Sequence, residues 1–263
     1  MTMNFAGAHA AAWVAAAAQQ ARPTPTPEAQ LPAAFESYAR LFHPAVDFDG
    51  QPVRWAEIAR TRGATFHAGA QFDALAGIDE NGFALADDAW EGDPPRADGL
   101  PLSDLSALTD VLEEQTESAE LYFALWTGYA FAGGENDGAR MILSPAERAD
   151  VLTLGEGGYQ QYWVFSGTFA DLRNPVWAES ERTAERRAPD LVWPADRSWF
   201  VSTELFEDST ILGGSAELIA AVVAASAGER GAVEALRLEA GTRLDRDEVN
   251  PRDAHTAGGE AAE

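Results

Sequence analysis

The chain has 263 residues, 46% of them hydrophobic, with a formal net charge of −25 and a pI near 4.3. That length allows one large domain or two small ones, and eight Trp and 13 Phe supply material for a core. A surface this acidic repels phosphate backbones and anionic lipid, so neither nucleic acid nor a membrane is expected as a partner, whereas a basic protein or a small ligand is.

All 18 basic residues are Arg, and Lys and Cys are both absent. The missing Lys excludes a P-loop lysine, a kinase strand lysine, a Schiff base and a Ser-x-x-Lys nucleophile. The missing Cys excludes thiol catalysis, disulfides, Cys-ligated zinc and protein-ligated iron–sulfur clusters. No motif in the chain asks for a cofactor.

"FAGAHAAAWVAAAA" (residues 5–18) has the length of a signal-peptide core, but no basic residue precedes it, and it is too short to span a bilayer. "RPTPTPEAQLP" (22–32) alternates Pro with Thr and reads as an extended linker. Residues 1–30 are therefore expected to be a flexible Ala-rich leader and linker outside the core, in a cytoplasmic protein. The polar, Gly/Ala-rich stretch 251–263 is expected to be a disordered tail. Between them, 31–250 reads as a single globular domain.

"FESYARLFHP" fits a helix or a strand. "PVRWAEIARTRG" predicts a helix ended by Gly63, and 80–101 an acidic loop. "SDLSALTDVLEEQT" predicts a helix capped by Ser103. "ELYFALWTGYAFAGG" predicts a strand, "SPAE" (144–147) a capping box with Pro at the first helical position, and "YQQYWVFSGTF" a further strand. "ESERTAERRAPD" is charged, either a loop or a solvated helix. "SWFVSTEL" alternates as a half-buried strand, and "STILGGS" as a short strand leading into a helix at 216–225. The mix predicts an α+β fold with a largely antiparallel sheet and packed helices, since regular strand–helix alternation is lacking.

The chemistry-bearing motifs are few. His43 and His67 match no metal-ligand spacing and read as structural, and no metal site is assigned. "DFDG" (47–50) and "GENDG" (134–138) read as turns, because the calcium-loop register fails in both. "GGSAE" (213–217) has Glu where a nucleophile elbow needs a small residue, so Ser215 reads as a helix cap.

The densest stretch is "LVWPADRSWFVSTELFEDSTILGGSAELI" (191–219). Trp193, Asp196 and Arg197 gather at one turn, and Glu204, Asp208 and Ser209 at the next. Together they form the candidate binding surface, aromatic and acidic. The same residues would also serve to pin a sheet corner with buried indoles and an Asp–Arg bond. If the strand after Glu204 folds back, the two turns lie at opposite ends of a hairpin. No catalytic residue is assigned.

This block, Trp-Pro-x-Asp-Arg-x-Trp followed by Ser-Thr-x-x-Gly-Gly-Ser, resembles a group of uncharacterised proteins from GC-rich Gram-positive bacteria. "FESYARLFHPA…VRWAEIA" (35–59) and "YFALWTGYAF" (122–131) are similar to earlier segments of that group. The resemblance implies no activity, cofactor or partner.

Three functions compete. The first is a non-catalytic domain that binds a protein or small ligand through the aromatic and acidic surface. The second is a carboxylate-dependent, glycan-acting hydrolase using Glu204, Asp208 or Asp196 as acid and base. The third is an immunity or antitoxin-like partner of a basic protein.

Overall fold

The computed structural model describes residues 3–18, 25–79, 81–97, 99–129, 143–175, 188–205, 207–227 and 233–250. The class is α+β with a large antiparallel sheet, as expected. Within these residues the chain gathers into two compact units, 3–43 with 96–242 and 44–95 with 243–250.

Unit 1 is built on nine described strands: β1 (Asn4–Phe5), β2 (Ser37–Phe42), β5 (Leu121–Trp126), β6 (Leu152–Leu154), β7 (Gln160–Gly167), β8 (Leu191–Pro194), β9 (Phe200–Ser202), β10 (Ser209–Gly214) and β11 (Glu234–Leu238). Their order is β1-β7-β5-β8-β9-β10-β2-β11, and β6 pairs with β7 on the edge that β1 also uses. Every pairing is antiparallel. "FESYARLFHP" resolves as strand: β2 is buried at all six positions, between β10 and β11. Such a strand has no polar face, which is why its period could not be read.

One face of the sheet carries the helices. The α5 helix (Leu102–Glu114) contributes Leu105, Leu108 and Leu112, α7 (Phe169–Arg173) contributes Phe169 and Leu172, and α8 (Ala216–Ser226) contributes Leu218, Ile219 and Val222. They share a core with Leu41, Phe123, Phe165, Val192, Val201 and Leu212 of the strands. The α5 helix begins one residue early. Pro101 precedes its first turn and Ser103 instead donates to Asp104, so Ser103 is no cap. Ser215 caps α8 as expected, accepting from the Leu218 N–H.

The other face is covered by the segment expected to stand apart, and that expectation is corrected. β1 pairs with β7, a short 3-10 turn (Ala8–Ala11) leads into α1 (Ala12–Ala18), and α2 (Pro27–Gln30) follows. Trp13 lies edge-on to Trp193 and Phe200, while Ala11, Val14 and Leu31 are buried. Gly213 marks the closest approach. A Cβ there would sit 2.5 Å from the Phe35 ring and 2.6 Å from Leu31. The Ala-rich run is helical because Ala has the best helix propensity, and it holds to the sheet through its few large side chains.

Because both faces are covered, the strand expected to be half-buried, β9, is buried throughout, and so is the middle of β7, from Tyr162 to Phe165. The capping box at Ser144 is present at the start of α6 (Pro145–Ala149). The charged stretch at 179–187, the "GENDG" turn and the 251–263 tail lie outside the described residues.

Unit 2 holds a small antiparallel pair, β3 (Ala45–Val46) and β4 (Pro52–Val53), then α3 (Trp55–Arg62) and α4 (Phe72–Ala76). Trp55 packs edge-on to Phe72, with ring centroids 5.3 Å apart, over buried Ile58 and Leu75. Gly63 ends α3 where the sequence placed the stop. "DFDG" is a turn in which the Asp47 carboxylate accepts the N–H groups of Asp49 and Gln51.

Candidate functional site

The Trp193 corner is filled, not open. Trp193 is 1% exposed and sits in an aromatic pile: its ring stacks on Phe200 (5.5 Å, 12°) and on Tyr122 (5.7 Å, 17°). Trp199 points to the helical core and donates its indole N–H to Thr116 Oγ1. Asp196 and Arg197 are exposed and form no ion pair with each other, so the expected Asp–Arg bond is corrected. Asp196 accepts the Ser198 N–H, and the Arg197 guanidinium lies over the Trp13 ring at 5.0 Å. Arg197 takes a left-handed φ of 59° at the turn between β8 and β9. Its N–H donates to the Pro194 carbonyl there.

Glu204, Asp208 and Ser209 lie at the other end of β9, beside the return into β10, so the hairpin separates them from Asp196 and Arg197. Two of the three serve a residue the sequence reading passed over. Arg40, 1% exposed in β2, pairs with Asp208 at 3.3 Å, donates from Nε to Ser209 Oγ at 2.8 Å, and lies over the Phe42 ring. The clue was available: an Arg inside the apolar run "SYARLF" needs buried partners.

A second buried network runs beside it. His43 Nδ1 meets the Arg96 carbonyl at 2.9 Å and Nε2 meets Thr210 Oγ1 at 2.9 Å. Thr210 Oγ1 in turn lies 2.6 Å from Thr203 Oγ1. In unit 2, His67 meets the Asp247 carboxylate at 2.9 Å. Both His therefore have hydrogen-bond partners within the fold. The N-terminus of α8 is likewise engaged, since the Glu36 carboxylate accepts the Ala216 N–H.

Glu204 faces different surroundings. It lines a half-open hollow of about 170 Å³ between the N-terminal segment and the sheet. Val14, Leu31, Leu191 and Phe200 make its apolar wall, and Tyr162, Thr203 and Glu204 stand among its polar groups. Tyr162 is 2% exposed, and no hydrogen bond reaches its phenol from the described residues. Burial foremost, then the charges of Asp190 and Glu204, holds that phenol above its usual range. Burial also raises the Glu204 carboxyl, with the charge of Glu207 adding to it. The lining is that of a small-molecule site, an apolar concavity with a few polar groups, and the volume restricts it to a small ligand.

A wider hollow in unit 2 lies between α3 and residues 88–92, with Phe48 exposed at its rim. Its one cation, Arg62, is held by the Leu75 and Asp88 carbonyls and by the Asp88 carboxylate. Among the described residues no three His, Asp or Glu side chains converge as a metal requires, and no helix is long and apolar enough to cross a membrane. No family model, curated protein or solved structure matches the chain.

Proposed function

We propose that this protein binds a small molecule with an apolar body in the hollow of unit 1. The observation that carries this reading is the lining: Val14, Leu31, Leu191 and Phe200 form an apolar wall beside Tyr162 and Glu204. Small-molecule sites are commonly apolar concavities with a few polar groups that orient the ligand. The aromatic and acidic character expected of the site is kept, but its place moves from the Trp193 turn to the far end of the hairpin. Asp196 stands apart from Glu204, and Asp208 is engaged by Arg40, so the acid–base pair of a hydrolase gains no support.

The test is calorimetric titration of the full chain with phenethylamine, benzyl methyl ether and phenylacetate. Saturable binding of at least one of them, lost when Ala29→Trp fills the hollow, is expected. Binding that survives Ala29→Trp unchanged refutes the site.

A further inference from the structure

The hollow of unit 2 has a volume of about 430 Å³, within the range of small-molecule sites, and its whole lining belongs to that unit. Phe48, Val53, Ile58 and Trp90 give it aromatic and aliphatic surface. Phe48 is 79% exposed, so its ring is open to a ligand. The fold holds the Trp90 indole in place. Its backbone N–H donates to the Ala76 carbonyl at 2.7 Å, and Nε1 donates to the Asp93 carbonyl at 3.4 Å. Gly92 leaves room for the ring, since a Cβ there would lie 2.6 Å from Cζ2.

The side-chain hydrogens of this lining are largely spent inside the protein. Thr61 donates its one hydroxyl hydrogen to the Glu57 carbonyl at 3.0 Å. The indole N–H goes to Asp93. The Arg62 head is drawn to the end of α4: it donates to the Leu75 carbonyl and to the carbonyl and carboxylate of Asp88, and a Cβ on Gly77 would lie 2.3 Å from it. What is left over accepts. Asp47, Glu57, Asp88 and Glu91 bring four carboxylates to the lining against that one guanidinium. Asp47 serves its own turn and Asp88 serves Arg62. The Glu57 carboxylate reaches exposed Arg60 at 3.9 Å, and Glu91 has no hydrogen bond or ion pair among the described residues.

These carboxylates do not converge as a metal ion requires. A diffuse organic cation needs no convergence, because aromatic faces and the surrounding negative field both favour it. We propose that the hollow of unit 2 is a separate ligand site for a small alkylated ammonium ion, with Phe48 and Trp90 as its aromatic contacts and Glu57 and Glu91 as the charges that draw it in. It stands independently of the hollow in unit 1. The net charge of −25 adds a long-range attraction for the same ion.

A nuclear magnetic resonance titration of the full chain compares choline with dimethylbutanol, its neutral analogue with carbon in place of the nitrogen. Choline should move the Gly92 amide and Trp90 indole signals and bind at least about tenfold more tightly than the alcohol at about 0.01 M salt. The preference should shrink at about 1 M salt, where the Debye length is about 3 Å. Phe48→Leu keeps an apolar side chain without the ring, and Glu91→Gln keeps the shape without the charge. Both positions are exposed, so the fold should stand, and each variant should cut the preference by about threefold. Ala29→Trp, in unit 1, should leave it unmoved. No binding of choline, equal binding of the two probes, or a preference unchanged in both Phe48→Leu and Glu91→Gln overturns the proposal and leaves the unit 1 site untouched. A tri-arginine peptide that binds at the same signals more tightly than choline overturns it in favour of a basic protein.

Discussion

Trp193 lies flat against Phe200, one ring from β8 and one from β9, with centroids 5.5 Å apart and planes 12° from parallel. Trp13 closes the pile edge-on to both, so one contact joins the central hairpin to the N-terminal segment. Trp193→Ala should cost about 3–5 kcal/mol, the range for emptying a large aromatic site in a core. Asp196→Ala, three residues on but exposed, removes a single carboxylate acceptor for the Ser198 N–H and should cost less than about 1 kcal/mol. Urea denaturation of the two variants separates a structural corner from a recognition surface. Similar small losses for both would mean that the aromatic pile contributes little.

The N-terminal segment gives a second prediction. Removing residues 3–18 uncovers Trp193 and Phe200, takes β1 from the edge of β7 and opens the hollow on the side of Val14. The shortened chain should bind a hydrophobic dye and lose near-ultraviolet dichroism from its indoles, because an apolar patch and a fixed aromatic environment are exchanged for solvent. Trp13→Ala should move both signals in the same direction by a smaller amount. A shortened chain with unchanged dye binding and dichroism would show the segment to be dispensable to the fold.

The elements legible in the sequence were those fixed by local chemistry. Gly63 ends α3, the Ser144 box opens α6 and Ser215 caps α8, and each of these devices acts within four residues of itself. The elements that escaped depend on partners far along the chain. An Ala-rich run next to a Pro-Thr repeat reads as a leader until Trp13 meets Trp193. Periodicity failed at β2 and β9 because both faces of those strands are covered. Within the 191–219 block Trp193, Asp208 and Ser209 are tied into structure, and Glu204 alone of the six candidate residues lines the hollow. Its neighbours there, Tyr162 from β7 and Val14 from α1, share no motif with it. His43 and Thr210 are 167 positions apart, so their bond left no local pattern.

Two glycines of unit 2 make a matched pair. Gly63 and Gly77 each follow a helix with φ of 67°. A Cβ on Gly63 meets nothing within 4 Å, whereas one on Gly77 would lie 2.3 Å from the Arg62 guanidinium. Gly63→Ala should therefore cost only the left-handed backbone term, about 1–2 kcal/mol. Gly77→Ala pays the same and also displaces Arg62 from the Leu75 carbonyl, 2.7 Å away, and from Asp88. The difference between the two variants in equilibrium denaturation measures what Arg62 contributes. It should be about 1–2 kcal/mol for a partly buried charge-assisted bond. Equal losses would show that Arg62 moves aside at no cost.

Glu204 makes stability depend on pH in a direction opposite to an ordinary salt-bridged carboxylate. Burial, then the charge of Glu207, raises its carboxyl above the usual 4.5. In the folded protein the proton is held more tightly than in the unfolded chain. The stabilising contribution is therefore fully present below the unfolded value and is lost as pH rises through the folded one. Near pH 7 the unfolded chain gives up this proton more readily than the folded protein does, which costs stability. Glu204→Gln removes that cost while keeping the shape, so the variant should melt higher than wild type near pH 7, and the gain should vanish near pH 4. Thermal melts of both proteins at the two pH values test this, with Asp196→Asn as an exposed carboxylate control. A gain of equal size at both pH values would place its origin in packing and not in the charge of Glu204.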